Sequence, residues 1–180
     1  MATGTRRVFF ALWPDAPAAR QLGEAARRAQ ARHGGRRPRR EDLHLTLAFV
    51  GAVTTPRLAE LRDLAATLRQ PPFDFQLDSP RCLQAKGIFW LGASRPPPQL
   101  GALAESLAAR LRAAGFPVED RPFEAHVTLL RQARCGQDPQ GPGGYPPVKW
   151  AAREFVLAES ELRPQGARYA IIGRWPLAQS

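Results

Sequence analysis

At 180 residues and 44% hydrophobic side chains, the chain is long enough for one substantial core or two small lobes and has an ordinary globular balance. The formal charge is +10, and all but two (Lys86 and Lys149) of the 26 basic residues are arginine. That excess suits a polyanionic partner, because a guanidinium fork matches phosphate oxygens, and it equally fits a genome biased toward arginine, alanine and proline. No apolar run spans a bilayer, and strand-like sequence begins by Val8, too early for a signal peptide, so a cytoplasmic protein with no membrane contact is expected. Cys82 and Cys135 are too few for a disulfide framework and too far apart for a metal knuckle, and they read as bystander thiols.

Val8 to Trp13 reads as a buried strand, and Pro14-Asp15 opens a helix over 15–33 with Leu22, Ala25, Ala26 and Ala29 on one face. His33 falls at its end, as a solvated partner of the helix dipole. Gly34-Gly35-Arg36-Arg37-Pro38-Arg39-Arg40 is a basic loop, either a solvated charge run or a phosphate-contacting rim.

Asp42-Leu43-His44-Leu45-Thr46-Leu47-Ala48-Phe49-Val50-Gly51 follows. Leu43, Leu45, Leu47 and Phe49 alternate, which predicts a strand with those four on its buried face and His44 and Thr46 together on the other, roughly 7 Å apart. Thr55-Pro56 starts a second helix with the stripe Leu58, Leu61, Ala65 and Leu68, stopped by Pro71-Pro72. Three short strands are predicted over 73–77, 81–85 and 88–93, with Lys86-Gly87 as the turn between the last two. A third helix over 99–114 carries Leu100, Leu103, Leu107 and Leu111 and stops at Gly115.

The second His strand, Ala125-His126-Val127-Thr128-Leu129-Leu130-Arg131, repeats the first pattern, so two of the three His in the chain have Thr two places on. Residues 132–147, rich in Gly and Pro, predict a mobile loop. Strands over 155–162 and 168–175 close the chain around a Pro164-Gln165-Gly166 turn. Phe9, Trp90 and Phe123 read as core aromatics more than as base-stacking platforms, although an aromatic near the cleft could stack a nucleobase.

This order contains a repeat. A strand, prolines and an amphipathic helix lead from Val8 to His44 in 36 residues and from Ile88 to His126 in 38. Two such units, 7–51 and 87–131, would face their His-Thr strands across one cleft if packed about a pseudo-twofold axis.

Two imidazoles at one site supply a general base and a general acid. No H-E-x-x-H or carboxylate cluster accompanies them, which favours chemistry without a metal on a substrate that carries its own leaving group. The threonine hydroxyls can donate to non-bridging phosphoryl oxygens, and Arg131 can balance charge that grows in the transition state. In-line attack of water on a strained cyclic phosphate uses that set.

Both motifs fit the H-x-T-x pattern, and Asp42 to Gly51 and Arg121-Pro122-Phe123-Glu124-Ala125-His126 to Arg131 resemble the 2H phosphoesterases, in particular their bacterial RNA 2′,3′-cyclic phosphodiesterase branch. The likeness runs from Arg7-Val8-Phe9-Phe10-Ala11 to Tyr169 and Arg174-Trp175. It implies a bilobal, pseudo-twofold duplicated α+β fold, with two antiparallel sheets flanking a central cleft and helices outside, in a single domain spanning 1–180. It also implies hydrolysis of RNA 2′,3′-cyclic phosphate ends to 2′-phosphate ends, with reversible 2′-5′ ligation of tRNA halves as a side activity and no need of a cofactor or metal; separately, a monomer is expected. Carried over by position, His44 and His126 are catalytic, and Thr46, Thr128 and Arg131 hold the phosphate. Ala125 departs from the proline often found before the second His, which leaves the faces of His126 and Thr128 unchanged.

Arg131, next to the second motif, disfavours protonation of His126, and this assigns His44 as the acid for the departing 3′ oxygen and His126 as the base. The same four residues would also serve a small cyclic phosphate such as ADP-ribose 1″,2″-cyclic phosphate, or 2′-5′ oligoadenylate. A non-catalytic RNA-binding module is the remaining alternative.

Overall fold

The computed structural model describes residues 4–136 and 144–178. Among these, β1 (Arg6–Leu12), α1 (Ala16–His33) and β2 (Leu45–Val53) form the first strand-helix-strand unit, and β5 (Ile88–Gly92), α3 (Pro98–Ala113) and β6 (His126–Arg131) form the second. Between and after them lie α2 (Thr55–Ala66), β3 (Phe73–Leu77), β4 (Ser79–Leu83), β7 (Val148–Ala152), β8 (Glu154–Glu161) and β9 (Arg168–Pro176). Every ladder is antiparallel: a four-stranded sheet in the order β2-β1-β8-β9, a three-stranded sheet β4-β5-β6, and a separate pair β3-β7. The third ladder adds to the two sheets expected, and β7 was not anticipated. Its alternation of buried Val148, Trp150 and Ala152 with exposed Lys149 is visible in the sequence beside the 132–147 loop.

Local chemistry accounts for the helix ends. Asp15 accepts a hydrogen bond from the Ala18 N–H (2.8 Å), satisfying one of the free donors at the start of α1. Thr54 rather than Thr55 occupies the cap position of α2, with Pro56 in its first turn. Gly87 adopts φ +59°, the left-handed conformation the predicted turn requires.

One buried cluster runs beneath both large sheets and takes side chains from all three helices. Within it α1 packs on β6 and β7 of the second half, while α3 packs on β2 of the first. Each helix therefore ties its own unit to the other one. The helices cover the faces turned away from His44 and His126.

The alternation in β2 breaks where the sequence predicts it to continue. Ala11 pairs with Thr46 but Phe10 pairs with Ala48, so Leu47 is an extra residue, a β-bulge. Leu47 and Ala48 are both buried, and Phe49 turns out of the core, 36% exposed. The second motif repeats the irregularity at the matching place: Trp90 pairs with Thr128 and Phe89 with Leu130, leaving Leu129 as the extra residue.

Other expectations also change. Cys82 and Cys135 are bonded to each other, Cα atoms 6.2 Å apart, rather than standing as independent thiols. His33 is buried and stacks on Phe89 (centroids 5.0 Å), not solvated. The start of the 132–147 loop is tied down: the Ala133 N–H donates to Gly87 O (2.9 Å) and the Arg134 N–H to His33 O (2.8 Å). Tyr145 near its end is buried, and 137–143 lie outside the described residues.

Candidate active site

The basic loop reaches the site as a structural brace. Arg36 and Arg131 exchange backbone hydrogen bonds (Arg36 N to Arg131 O 2.8 Å, Arg131 N to Arg36 O 3.0 Å), adding a bridge beside β6. Gly35 carries φ +78°, and a side chain there would start 2.6 Å from Arg131 O, so the approach needs glycine twice over. The Arg36 guanidinium donates to Gln165 O (3.0 Å), Arg37 donates to Gln30 (2.6 Å), and Arg39 grips buried Asp42 with two bonds (2.8 and 3.2 Å). Three of the four arginines in the run are thus committed within the protein, which fits neither a freely solvated charge run nor a bare phosphate rim.

Asp42 closes a 3-10 turn, and its backbone oxygen meets His44 Nδ1 at 2.7 Å. In the second motif His126 Nδ1 meets the backbone oxygen of Glu124, again two residues back, at 2.8 Å. A carbonyl only accepts, so each Nδ1 carries the hydrogen. In both neutral rings, therefore, the unprotonated nitrogen is Nε2. The carboxylates differ: that of Asp42 is buried against Arg39, whereas exposed Glu124 pairs loosely with Arg81 (3.1 Å).

Aromatic rings set each imidazole further. His44 stacks on Trp13 (4.9 Å, 11° between planes) and touches Phe9 (4.9 Å) and Tyr169 (4.8 Å). His126 lies against Trp90 at 3.9 Å. Trp90 and Phe123, read from sequence as core, are half-buried beside His126 and 36% exposed respectively, while Phe9 is buried at 3%. Trp13 was read only as the end of a strand and Tyr169 only as part of the family likeness, neither as a neighbour of His44. Trp13 sits one step beyond the Leu12–Leu45 pairing, where the second unit has Gly92 opposite His126, so its signal lay in strand register.

Thr46 and Thr128 are half-buried on the faces of their strands that carry the imidazoles. Arg131 is exposed at the end of the same face of β6, opposite Ile88. The two imidazoles are close enough to feel each other. Burial pushes His44 down from 6.5 to about 4, the Asp42 bond opposes this, and the charges of Arg131 and His126 lower it further. Burial also lowers His126, but its bond to Glu124 O and the Glu124 carboxylate both act upward. Arg131 therefore bears on the His of the other motif, contrary to the expectation that it would suppress protonation of His126.

Among the described residues no three His, Cys, Asp or Glu side chains cluster so as to hold a metal ion, and no helix is long and apolar enough to cross a membrane.

The profile of the 2′-5′ RNA ligase superfamily matches residues 13–140. The chain is also 35% identical over 180 residues to the RNA 2′,3′-cyclic phosphodiesterase of Escherichia coli K12, covering 97% of this chain and 98% of that protein. The chain belongs to the 2′-5′ RNA ligase superfamily. A second member, the RNA 2′,3′-cyclic phosphodiesterase of Thermus thermophilus, is 28% identical over 95% of this chain and 90% of its own. The superfamily fold extends to solved structures: E. coli LigT in its apo form superposes with a TM-score of 0.84 at 32% identity, covering 98% of this chain and 99% of that one. LigT complexed with 3′-AMP gives the same TM-score over 97% and 99% of the two chains.

Proposed function

We propose that this protein hydrolyses RNA 2′,3′-cyclic phosphate ends to 2′-phosphate ends, using His44 and His126 as a base and acid pair. The observation that carries this is the shared local build of the two motifs. In each, Nδ1 is satisfied by the carbonyl two residues back, Nε2 is the nitrogen left to exchange a proton, and a threonine shares the face just before a bulge. Relatives named for this activity, covering nearly the whole chain, support the substrate class. Crystals of the similar E. coli LigT with 3′-AMP and with phosphate support a phosphoryl site in this fold.

The environments favour roles opposite to those suggested by the proximity of Arg131 in sequence. His44, held neutral by burial and by facing cations, takes the proton of the attacking water at Nε2. His126, with Glu124 supporting its charged form, gives its Nε2 proton to the departing 3′ oxygen as the P–O3′ bond breaks. Thr46 and Thr128 donate to the non-bridging oxygens, and Arg131 balances the added negative charge. When a 5′-hydroxyl replaces water as the attacking group, the same loss of the 3′ oxygen gives a 2′-5′ linkage, and 3′-hydroxyl attack on that linkage reverses the joining, with tRNA halves as one source of such ends. The reaction needs no metal or cofactor in this scheme. Residues 1–180 act as one domain with two matching units, 7–51 and 87–131, in a monomer. The location is cytoplasmic, where reductant competes with the Cys82–Cys135 bond.

Incubation in EDTA with an oligoribonucleotide ending in a 2′,3′-cyclic phosphate should yield a 2′-monoester. No turnover, or a 3′-monoester, overturns the reading. His44→Ala and His126→Ala should each lower kcat by roughly 10²–10⁴. On a substrate with an activated 3′ leaving group His126→Ala should recover most of that loss, and recovery by His44→Ala instead reverses the roles.

A further inference from the structure

The Cys82–Cys135 bond lies where it can be reached from outside. Cys82 is on β4, one outer strand of the sheet β4-β5-β6, and Cys135 comes shortly after the other outer strand, β6. Neither residue is sealed in the core, and both are half-buried. A hollow of about 450 Å³ opens on Cys82 and is walled by the turn that follows it, Leu83, Gln84, Ala85 and Lys86. Lys86 is its charged wall, and Cys135 does not line it.

The bond also closes a segment that needs holding. Gln132 takes φ +56°, the left-handed region that side chains disfavour, and is the only non-glycine among the described residues to do so. Beyond it the Ala133 N–H donates to Gly87 O (2.9 Å) and the Arg134 N–H to His33 O (2.8 Å), while Gln84 Nε2 reaches Gly136 O only at 3.4 Å. β6, which carries His126 and Thr128, pairs along its length with β5 alone, so this segment and the Arg36 bridge secure its end. In reducing surroundings a disulfide persists only while exchange allows it, and exchange needs a thiolate with access to one of the sulfurs. The hollow gives that access at Cys82, where Lys86 attracts an anionic thiol and favours the thiolate once the bond opens.

We propose that Cys82 is a thiol-exchange site for a small thiol bearing carboxylates, through which the Cys82–Cys135 bond opens and recloses and so loosens or secures the end of β6. The incoming thiolate bonds to Cys82 Sγ, the Cys82–Cys135 bond breaks, and Cys135 leaves as a thiolate that takes up a proton. A second thiolate then attacks the small molecule's sulfur, freeing Cys82 as a thiol and leaving as the small-molecule disulfide. The electrons that reduce the protein thus come from the paired small thiols, and their disulfide runs both steps backwards. The consequence for turnover rests on the phosphodiesterase reading; the exchange does not.

The test uses the full chain with glutathione as the thiol and glutathione disulfide as the oxidant, read by alkylation and peptide mass mapping. In Cys135→Ser, glutathione disulfide should add to Cys82 faster than it adds to Cys135 in Cys82→Ser. Lys86→Glu should slow opening of the parent bond by glutathione about threefold, the effect of an exposed charge pair, and slow opening by mercaptoethanol, which brings no carboxylate, by less. On reduction, hydrogen exchange at the Ala133 and Arg134 amides should quicken while β5 keeps its protection. Turnover of a cyclic-ended oligoribonucleotide should fall severalfold on reduction, and Cys135→Ser should match the reduced parent and ignore reduced glutathione. Thiols that stay unpaired in glutathione disulfide, equal addition at the two cysteines, or equal slowing of both thiols by Lys86→Glu overturns the exchange site. Unchanged amide exchange, or equal turnover in the oxidised and reduced protein, overturns its hold on the end of β6. No turnover in either state, with the thiol and amide results as stated, sinks the phosphodiesterase reading alone.

Discussion

His44 and His126 are held by the same bond to the same backbone position, yet their surroundings separate them. Trp13, Phe9 and Tyr169 wall in His44, and positive groups face it, so its charged form is disfavoured down to a pH of about 4. His126 is also lowered by burial, but Glu124 works against that. A base that must be neutral gives activity rising as pH passes about 4. An acid that must be protonated gives activity falling as pH passes the His126 value, which lies below the usual 6.5. The expected profile of kcat/KM is a bell with its maximum on the acid side of neutrality. Glu124→Gln removes a negative charge that favours protonated His126, so the alkaline limb should move to lower pH while the acid limb stays. Because Glu124 is half exposed, the displacement should shrink as salt is raised. Movement of the acid limb instead would reassign the two roles.

At the level of elements, the bulges at Leu47 and Leu129 decide which side chains follow the threonines into the site. Without them simple alternation would send Phe49 into the core, as the sequence pattern suggests. The segment before the first motif matters equally, because Arg36 is bridged to Arg131 and the approach depends on Gly35. Gly35→Ala places a methyl against Arg131 O in a backbone conformation that disfavours any side chain. It should cost about 1–3 kcal/mol in urea unfolding and lower activity on the cyclic phosphate, since Arg131 loses its brace. An alanine variant with full stability and full activity would show that the bridge is dispensable.

Across the whole molecule, the two units are locked together by exchange: α1 lies on the strands of the second half and α3 on β2 of the first, within one buried cluster. The His strands consequently keep a fixed relation without any hinge between separate cores. The Cys82–Cys135 bond adds a covalent tie from β4 to the segment just after Arg131, across a separation of 53 residues. Closing a loop of that length contributes up to about 4 kcal/mol by restricting the unfolded chain. Reduction, or Cys135→Ser, should therefore lower unfolding stability by about 2–4 kcal/mol. Urea titration with and without a dithiol checks this, and identical midpoints would show the bond to be thermodynamically idle.

The sequence alone determined the alternation and spacing that mark β2 and β6, the amphipathic stripes of the three helices, the order of the two units, and the His-Thr pairs. These are properties of neighbouring residues, and backbone periodicity writes them locally. Only the tertiary structure decided that Phe49 leaves the core, that Cys82 and Cys135 meet, that His33 is buried under Phe89, and that Arg131 acts on the His of the other motif. Bulges, disulfide partners and electrostatic neighbours depend on which distant strand lies alongside, and charge acts through space rather than along the chain.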